Sequence, residues 1–207
     1  MTHKTVILAN GEFPRNKIPL DYLDNAERII CCDGATESLI SYGLIPFAIV
    51  GDCDSLSSHI IDKYNEKIFR DNNQESNDLT KSVLWCSERG YHDIVILGAT
   101  GKREDHTLGN ISLLAEYARF ADVMMVTDTG IFYPLLEKSK LDSFRGQQIS
   151  IFAINPETEI TSTGLKYQLK KKKLRNWWEA TLNEATGENF ELDFTGGQII
   201  LYLKFRA

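Results

Sequence analysis

The stretch Ile49-Val50-Gly51-Asp52-Cys53-Asp54-Ser55-Leu56 carries an apolar run straight into two carboxylates one residue apart. An apolar run that stops at a glycine and acids reads as a buried strand ending at a polar turn. Further short apolar runs repeat the pattern: Thr5–Ala9, Arg28–Cys32, Phe47–Val50, Lys67–Phe69, Asp93–Leu97 and Asp122–Val126. Most are too continuous for half-exposed strands, so they suit a parallel sheet covered on both faces. Helix-like stretches lie between them. Asn77–Arg89 places Leu79, Val83 and Cys86 on one face, and Asp105–Phe120 groups Leu108, Ile111, Leu114 and Ala115. The expectation is an α/β domain with a doubly wound, mostly parallel sheet.

After Thr127 the pattern changes to strand-like runs broken by Gly, Pro and Asn, with no convincing helix. That part is expected to form a C-terminal antiparallel β-sandwich. The boundary is set near Asp128–Gly130, giving domains 1–128 and 129–207.

Composition excludes several classes. The 207 residues carry a net charge of −6, which argues against nucleic acid as a partner. No run of 18 apolar residues appears, so no membrane span is expected, and the start shows no signal pattern. Cys31, Cys32, Cys53 and Cys86 form no CxxC pair and sit in apolar segments, which suits free thiols in the cytoplasm. His3, His59, His92 and His106 show no metal-binding spacing. The run "KYQLKKKKLRNWW" reads as a solvated basic hairpin, and adjacent Trp177 and Trp178 on a strand would face opposite sides, one of them core.

In open α/β sheets ligands bind beyond the carboxyl ends of the strands. Asp33-Gly34, Gly51-Asp52-Cys53-Asp54 and Gly98-Ala99-Thr100-Gly101 fall there, while Asp78 and Asp105 open helices. Taken singly these are turns and N-caps; taken together, converging carboxylates repel and call for a cation such as Mg²⁺. Lys102 and Arg103 follow the last glycine turn and offer a phosphate-binding surface, although "GATGKR" is neither a Walker A loop nor a GxGxxG. Lys81, one turn into the Asn77 helix, either reaches the same edge or is solvated.

In order along the chain, "CCDGAT" (31–36), "VGDCDSL" (50–56), "NQESNDLTKSV" (73–83), "LGATGKREDHTLGNISLL" (97–114), "STGLKYQL" (162–169) and "WWEATLNEATG" (from Trp177) resemble the thiamine pyrophosphokinase family. Cys53, Ala35 and Lys102 depart from it, Lys102 standing where glycine is frequent. The resemblance implies a homodimer with shared active sites, binding ATP with Mg²⁺ in the α/β domain and thiamine with help from the sandwich. The implied reaction moves the β,γ-diphosphate of ATP to the thiamine hydroxyl, releasing AMP. By resemblance, Asp33, Asp52, Asp54 and Asp105 hold metal, and Asp52, Asp54, Asp78 and Asp105 serve catalysis. Asp33, Arg103, Lys81, Thr100 and Gly101 are then expected to contact the nucleotide. Gln74, Asp78, Tyr167, Trp178 and Asn183 are expected to contact thiamine, a cation that an aromatic face can hold. Asp54 and Asp78 are both open as the base. Rival readings are a strand-end DxD phosphatase, a diphosphotransferase acting on another alcohol such as a pterin, and a nucleotide or thiamine sensor.

Overall fold

The strand and helix periods of the sequence appear in the computed structural model, which describes residues 5–206; His3 and the reading of the chain's first four residues lie outside the described residues. The chain divides into two compact units, one running to Leu113 and resuming over Phe120–Asp128, the other comprising Leu114–Arg119 and the residues from Thr129.

The first unit alternates strands and helices. In order they are β1 (Thr5–Leu8), α1 (Lys17–Asp24), β2 (Arg28–Cys32), α2 (Ala35–Tyr42), β3 (Ala48–Gly51), α3 (Ser58–Tyr64), β4 (Ile68–Arg70), α4 (Asp78–Ser87), β5 (Asp93–Leu97), α5 (Glu104–Tyr117) and β6 (Asp122–Val126). The strands lie in the order β6-β5-β1-β2-β3-β4, all parallel. Every residue of β1 and β3 is buried, as a sheet covered on both faces requires. The strand order reverses at β1, with β5 on one side and β2 on the other. Such a switch point opens a crevice beyond the strands' carboxyl ends.

Helix α4 begins where its sequence says it should. Asn77 is extended (φ −78°, ψ 165°) and its side chain accepts from the Thr80 N–H, a cap worth about 1 kcal/mol. On α5 the buried face holds Ile111, Leu114 and Ala115, but Leu108 is 55% exposed, against expectation. Arg103 and, from the first turns of α5, His106, Thr107 and Asn110 line a cavity, so the packed face begins only at Ile111.

The second unit is antiparallel, as a sandwich should be. Its strands are β7 (Gly130–Leu135), β8 (Ser139–Asp142), β9 (Gln148–Ala153), β10 (Glu159–Thr163), β11 (Lys172–Lys173), β12 (Asn183–Glu184), β13 (Asn189–Thr195) and β14 (Ile199–Lys204). They pair as β12-β9-β14-β7 and as β11-β10-β13-β8. Alternate residues such as Ile149, Ile151, Phe190 and Leu192 fill the core. Leu114–Arg119 joins this unit, where the Gln198 Nε2 donates to the Ala115 carbonyl (2.7 Å).

The two tryptophans correct the sequence reading. Trp177–Ala180 is a 3₁₀ turn held by a capping box between Asn176 and Glu179, and no strand alternation applies. Neither indole is core: Trp177 is 38% exposed and leans on Phe152, and Trp178 is 73% exposed.

Candidate active site

The turns beyond the strands of the first unit are tied together by backbone. The Gly11 N–H donates to the Gly98 carbonyl (2.6 Å) and the Glu12 N–H to the Thr100 carbonyl (2.7 Å). A Cβ at Gly11 would fall 2.5 Å from the Thr100 oxygen, so only glycine permits this approach. Gly51 has the same role beside the acids: a Cβ there would lie 3.1 Å from both the Asp33 Cβ and the Asp78 Oδ1. Its missing side chain is the space in which two carboxylates converge.

Asp33 is 6% exposed, and its Oδ1 is buried with no hydrogen-bond partner. Its Oδ2 accepts from the Ser55 N–H at 3.4 Å. Burial pushes this carboxyl above its ordinary value, hydrogen bonds from Ser55 pull the other way, and Asp78 and Asp52 raise it further. The backbone is also unusual here, with positive φ at Asp33 (23°) and Cys53 (62°). Asp52 Oδ1 accepts from the Asp54 N–H (3.2 Å), which folds the acidic turn, and the Asp54 side chain is exposed. A buried carboxylate oxygen without a donor, among acids that repel it, fits a divalent cation. Among the described residues no three acid, thiol or imidazole groups enclose an ion by themselves. Mg²⁺ is suited to such a shell, since it takes one or two carboxylates and completes its sphere with water and phosphate oxygens.

Lys81 is not solvated. Its side chain is 3% exposed, and its Nζ lies 3.3 Å from Asp78 Oδ1, which ties the helix to the acidic pole. Asp105 is engaged by Arg103 and His106. Its Oδ1 accepts from the His106 N–H (2.8 Å) and the Arg103 Nε (3.0 Å), and its Oδ2 from the Arg103 Nη2. The Arg103 fork, with the His106 amide, holds the Asp105 carboxyl down at about 2.

A cavity of about 340 Å³ opens at the switch point, lined in part by Asn10, Gly11, Asp78, Thr100, Lys102 and Arg103. Gly101, at φ 95°, turns the chain beside it. Asn10 and Asn110 were missed from the sequence. Asn110 Nδ2 donates to the Ala99 carbonyl (2.9 Å) and fixes the glycine turn, and Asn10 was legible as the first polar residue after an apolar strand. Gln74 is exposed on a loop whose shape comes from the Asp71 and Asn73 side chains accepting from the Asn73 and Glu75 N–H groups.

In the second unit a smaller cavity of about 190 Å³ is lined by residues that include Tyr167, Lys172, Glu179 and Asn183. Asn183 is 2% exposed. Its Oδ1 accepts from the Tyr167 N–H (3.1 Å) and the Glu184 N–H (2.9 Å), and its Nδ2 donates to the Tyr167 carbonyl (2.7 Å). It therefore clamps the backbone that presents Tyr167, a residue 63% exposed.

Comparison with known proteins bears on both units. Residues 20–127 match the family described as "Thiamin pyrophosphokinase, catalytic domain", and residues 130–202 match "Thiamin pyrophosphokinase, substrate-binding domain". A Caenorhabditis elegans protein named thiamin pyrophosphokinase 1 is 30% identical, over 79% of this chain and 73% of its own. The thiamine pyrophosphokinase of Bacillus subtilis is 29% identical, over 80% of this chain and 82% of its own. A crystal structure of thiamine pyrophosphokinase from Bacillus subtilis superimposes with a TM-score of 0.80, covering 99% of this chain and all of that one at 23% identity.

Proposed function

From the premise that this chain belongs to the thiamin pyrophosphokinase family, we propose that it transfers the β,γ-diphosphate of ATP to the hydroxyl of thiamine, giving thiamine diphosphate and AMP. The observation that carries the site assignment is the partnerless, buried Asp33 Oδ1 beside Asp52 and Asp78. Asp33 and Asp52, with Asp54 from the same turn, are the residues that would hold Mg²⁺. When bound, the ion neutralises charge on the diphosphate and acts as a Lewis acid. The thiamine hydroxyl oxygen attacks the β-phosphorus, the bond from that phosphorus to the bridging oxygen breaks, and AMP leaves with the oxygen. Asp54 or Asp78 takes the hydroxyl proton. Asp105 acts by holding the Arg103 fork at the cavity wall, so that Arg103 and Thr100, with Gly101 turning the chain between Thr100 and Lys102, bound the phosphates. Lys81 steadies Asp78 from within the fold. Tyr167 and Trp178 offer exposed aromatic faces to the cationic thiazolium, Asn183 positions Tyr167, and Gln74 approaches the substrate from its loop.

Release of AMP from ATP, measured with thiamine, with a pterin alcohol and with no acceptor, tests the assignment. Thiamine-dependent AMP that vanishes when Mg²⁺ is chelated is the expected result. AMP formed only with another alcohol would reassign the acceptor, and nucleotide binding without AMP would make the chain a sensor.

We further infer a cytoplasmic homodimer with active sites shared between chains. Two inactive variants, Asp54→Asn and the double variant Trp178→Ala with Asn183→Ala, should regain activity when their subunits are exchanged. Mixtures of folded variants that exchange subunits yet stay inactive would show that each chain builds its own site.

A further inference from the structure

We propose that Lys102 is the anion anchor of the first unit's cavity, the side chain that takes the outermost phosphate of the nucleotide; this rests on the diphosphotransferase reading above. Two permanent cations line the cavity, Lys102 and Arg103. Arg103 already has its Nε and Nη2 on the two oxygens of Asp105. Lys81 is buried and pairs with Asp78. Among the described residues no carboxylate forms an ion pair with Lys102; the Glu12 carboxylate, which lies against Gly101, is paired with Arg15. The Lys102 Nζ donates only to a neutral amide oxygen, Asn10 Oδ1, at 3.2 Å.

That amide is a weak holder for a full positive charge. Hydrogen bonds between two ionised groups are about twice as strong as those between neutral ones, so phosphate oxygens outcompete Asn10 for the ammonium. A lysine head on a flexible four-carbon stem makes the exchange by rotation, with no movement of the backbone. Asn10 also fixes where the charge waits. Its Nδ2 lies 2.5 Å from where a Cβ on Gly34 would stand, so the amide sits between Lys102 and the turn that carries Asp33. One asparagine side chain thus reaches from an ammonium with no ion-pair partner to the turn that carries Asp33, whose Oδ1 has no donor. A polyphosphate carrying a divalent cation satisfies both poles at once.

Titration calorimetry of inorganic diphosphate and of ATP onto the full chain, at low and high ionic strength, tests the assignment. Lys102→Gln should weaken both ligands about tenfold, about 1.4 kcal/mol, leave thiamine affinity and the unfolding temperature unchanged, and flatten the salt dependence. Lys102→Arg should restore most of the affinity, and Asn10→Ala should leave it unchanged or tighter. A wild-type chain and a Lys102→Gln variant that bind ATP equally would overturn the role of Lys102 while leaving the reaction intact. Loss of binding in Asn10→Ala equal to that in Lys102→Gln would assign the contact to the amide instead. A wild-type chain that binds neither ligand, with or without Mg²⁺, would overturn the diphosphotransferase reading itself.

Discussion

At the sheet edge of the first unit, Asp33 keeps a buried oxygen without a partner, whereas in the second unit's cavity Asn183 has both its oxygen and its nitrogen engaged by backbone. The first region holds unmet electrostatic demand, with burial first and then Asp78 and Asp52 pushing the Asp33 carboxyl up. The second has met its polar demand internally and presents aromatic surface, Tyr167 and Trp178. Buried polar groups in proteins are nearly always satisfied. Of the four such atoms among the described residues, on Asp33, Trp85, Gln147 and Thr158, Asp33 Oδ1 is the one that belongs to an acid, and it marks where a charged ligand completes the structure, while the pocket around Asn183 marks where shape and ring faces do the selecting.

The sharpest way to break this contrast is to remove charge from the acidic turn. Asp52→Asn or Asp54→Asn should leave the fold intact and lower turnover by about two to three orders of magnitude, the scale of several kcal/mol of lost charge stabilisation. Circular dichroism and AMP release at limiting Mg²⁺ check this, and wild-type turnover would remove the acids from the mechanism. Asp78→Ala probes the same pole from the side of the fold. It strands the buried Lys81 ammonium, and chemical denaturation should show a loss of about 3–5 kcal/mol.

Asn183→Ala should destabilise by about 1–3 kcal/mol, because the Tyr167 amide and carbonyl lose their partner, and should raise the KM for thiamine. Trp178→Ala, at a 73% exposed position, should raise that KM with stability within about 0.5 kcal/mol of wild type. Equal stability losses in the two variants would erase the distinction between clamp and contact.

Asp33→Asn should raise the stability of the ligand-free chain by about 1 kcal/mol while abolishing nucleotide-dependent stabilisation by Mg²⁺. The pH dependence has a definite sign. The folded pKa lies above the ordinary 3.8, so the stability linked to protonated Asp33 is fully present below 3.8 and lost as pH rises through the folded value. The variant should lack that loss in thermal melts across the acidic range. Asp105 has the opposite sign and the smallest effect: its contribution is present above 3.8 and fades as pH falls through about 2. Arg103→Lys should erase that feature, since a point charge cannot replace the fork.

The fold was legible because its strands are short, continuous and apolar. Arg28–Cys32, Asp93–Leu97 and Asp122–Val126 are strands over those very residues, and the antiparallel character of the chain after Thr127 followed from its turn residues. Sequence periodicity picked out α4 and α5 as the clearest helices, whereas α1, α2 and α3, of seven or eight residues, are too short for a strong periodic signal. Leu108 was misread because periodicity marks an apolar face without saying where along the helix a neighbour begins. The tryptophans were misread because a capping box overrode strand alternation. At the sheet edge, acids after strands named the neighbourhood of Asp33, Asp52 and Asp78. The engagement of Arg103 by Asp105, the burial of Lys81 and the presence of Asn10 are pairings set by three-dimensional placement, which one-dimensional spacing does not encode.

The four buried cysteines bring one more consequence. Burial raises every one of these thiols, Cys53 to about 11 and Cys32 and Cys86 to about 12, so at neutral pH almost none is a thiolate. A thiol-specific disulfide reagent then reacts only when the chain opens, and each cysteine becomes a clock for its own neighbourhood. Cys53 times the acidic turn and Cys32, which lines the cavity, times the nucleotide site, while Cys31 and Cys86 time the sheet and the helix against it. Nucleotide with Mg²⁺ should slow the first two clocks more than the others, giving a readout of site occupancy that needs no turnover.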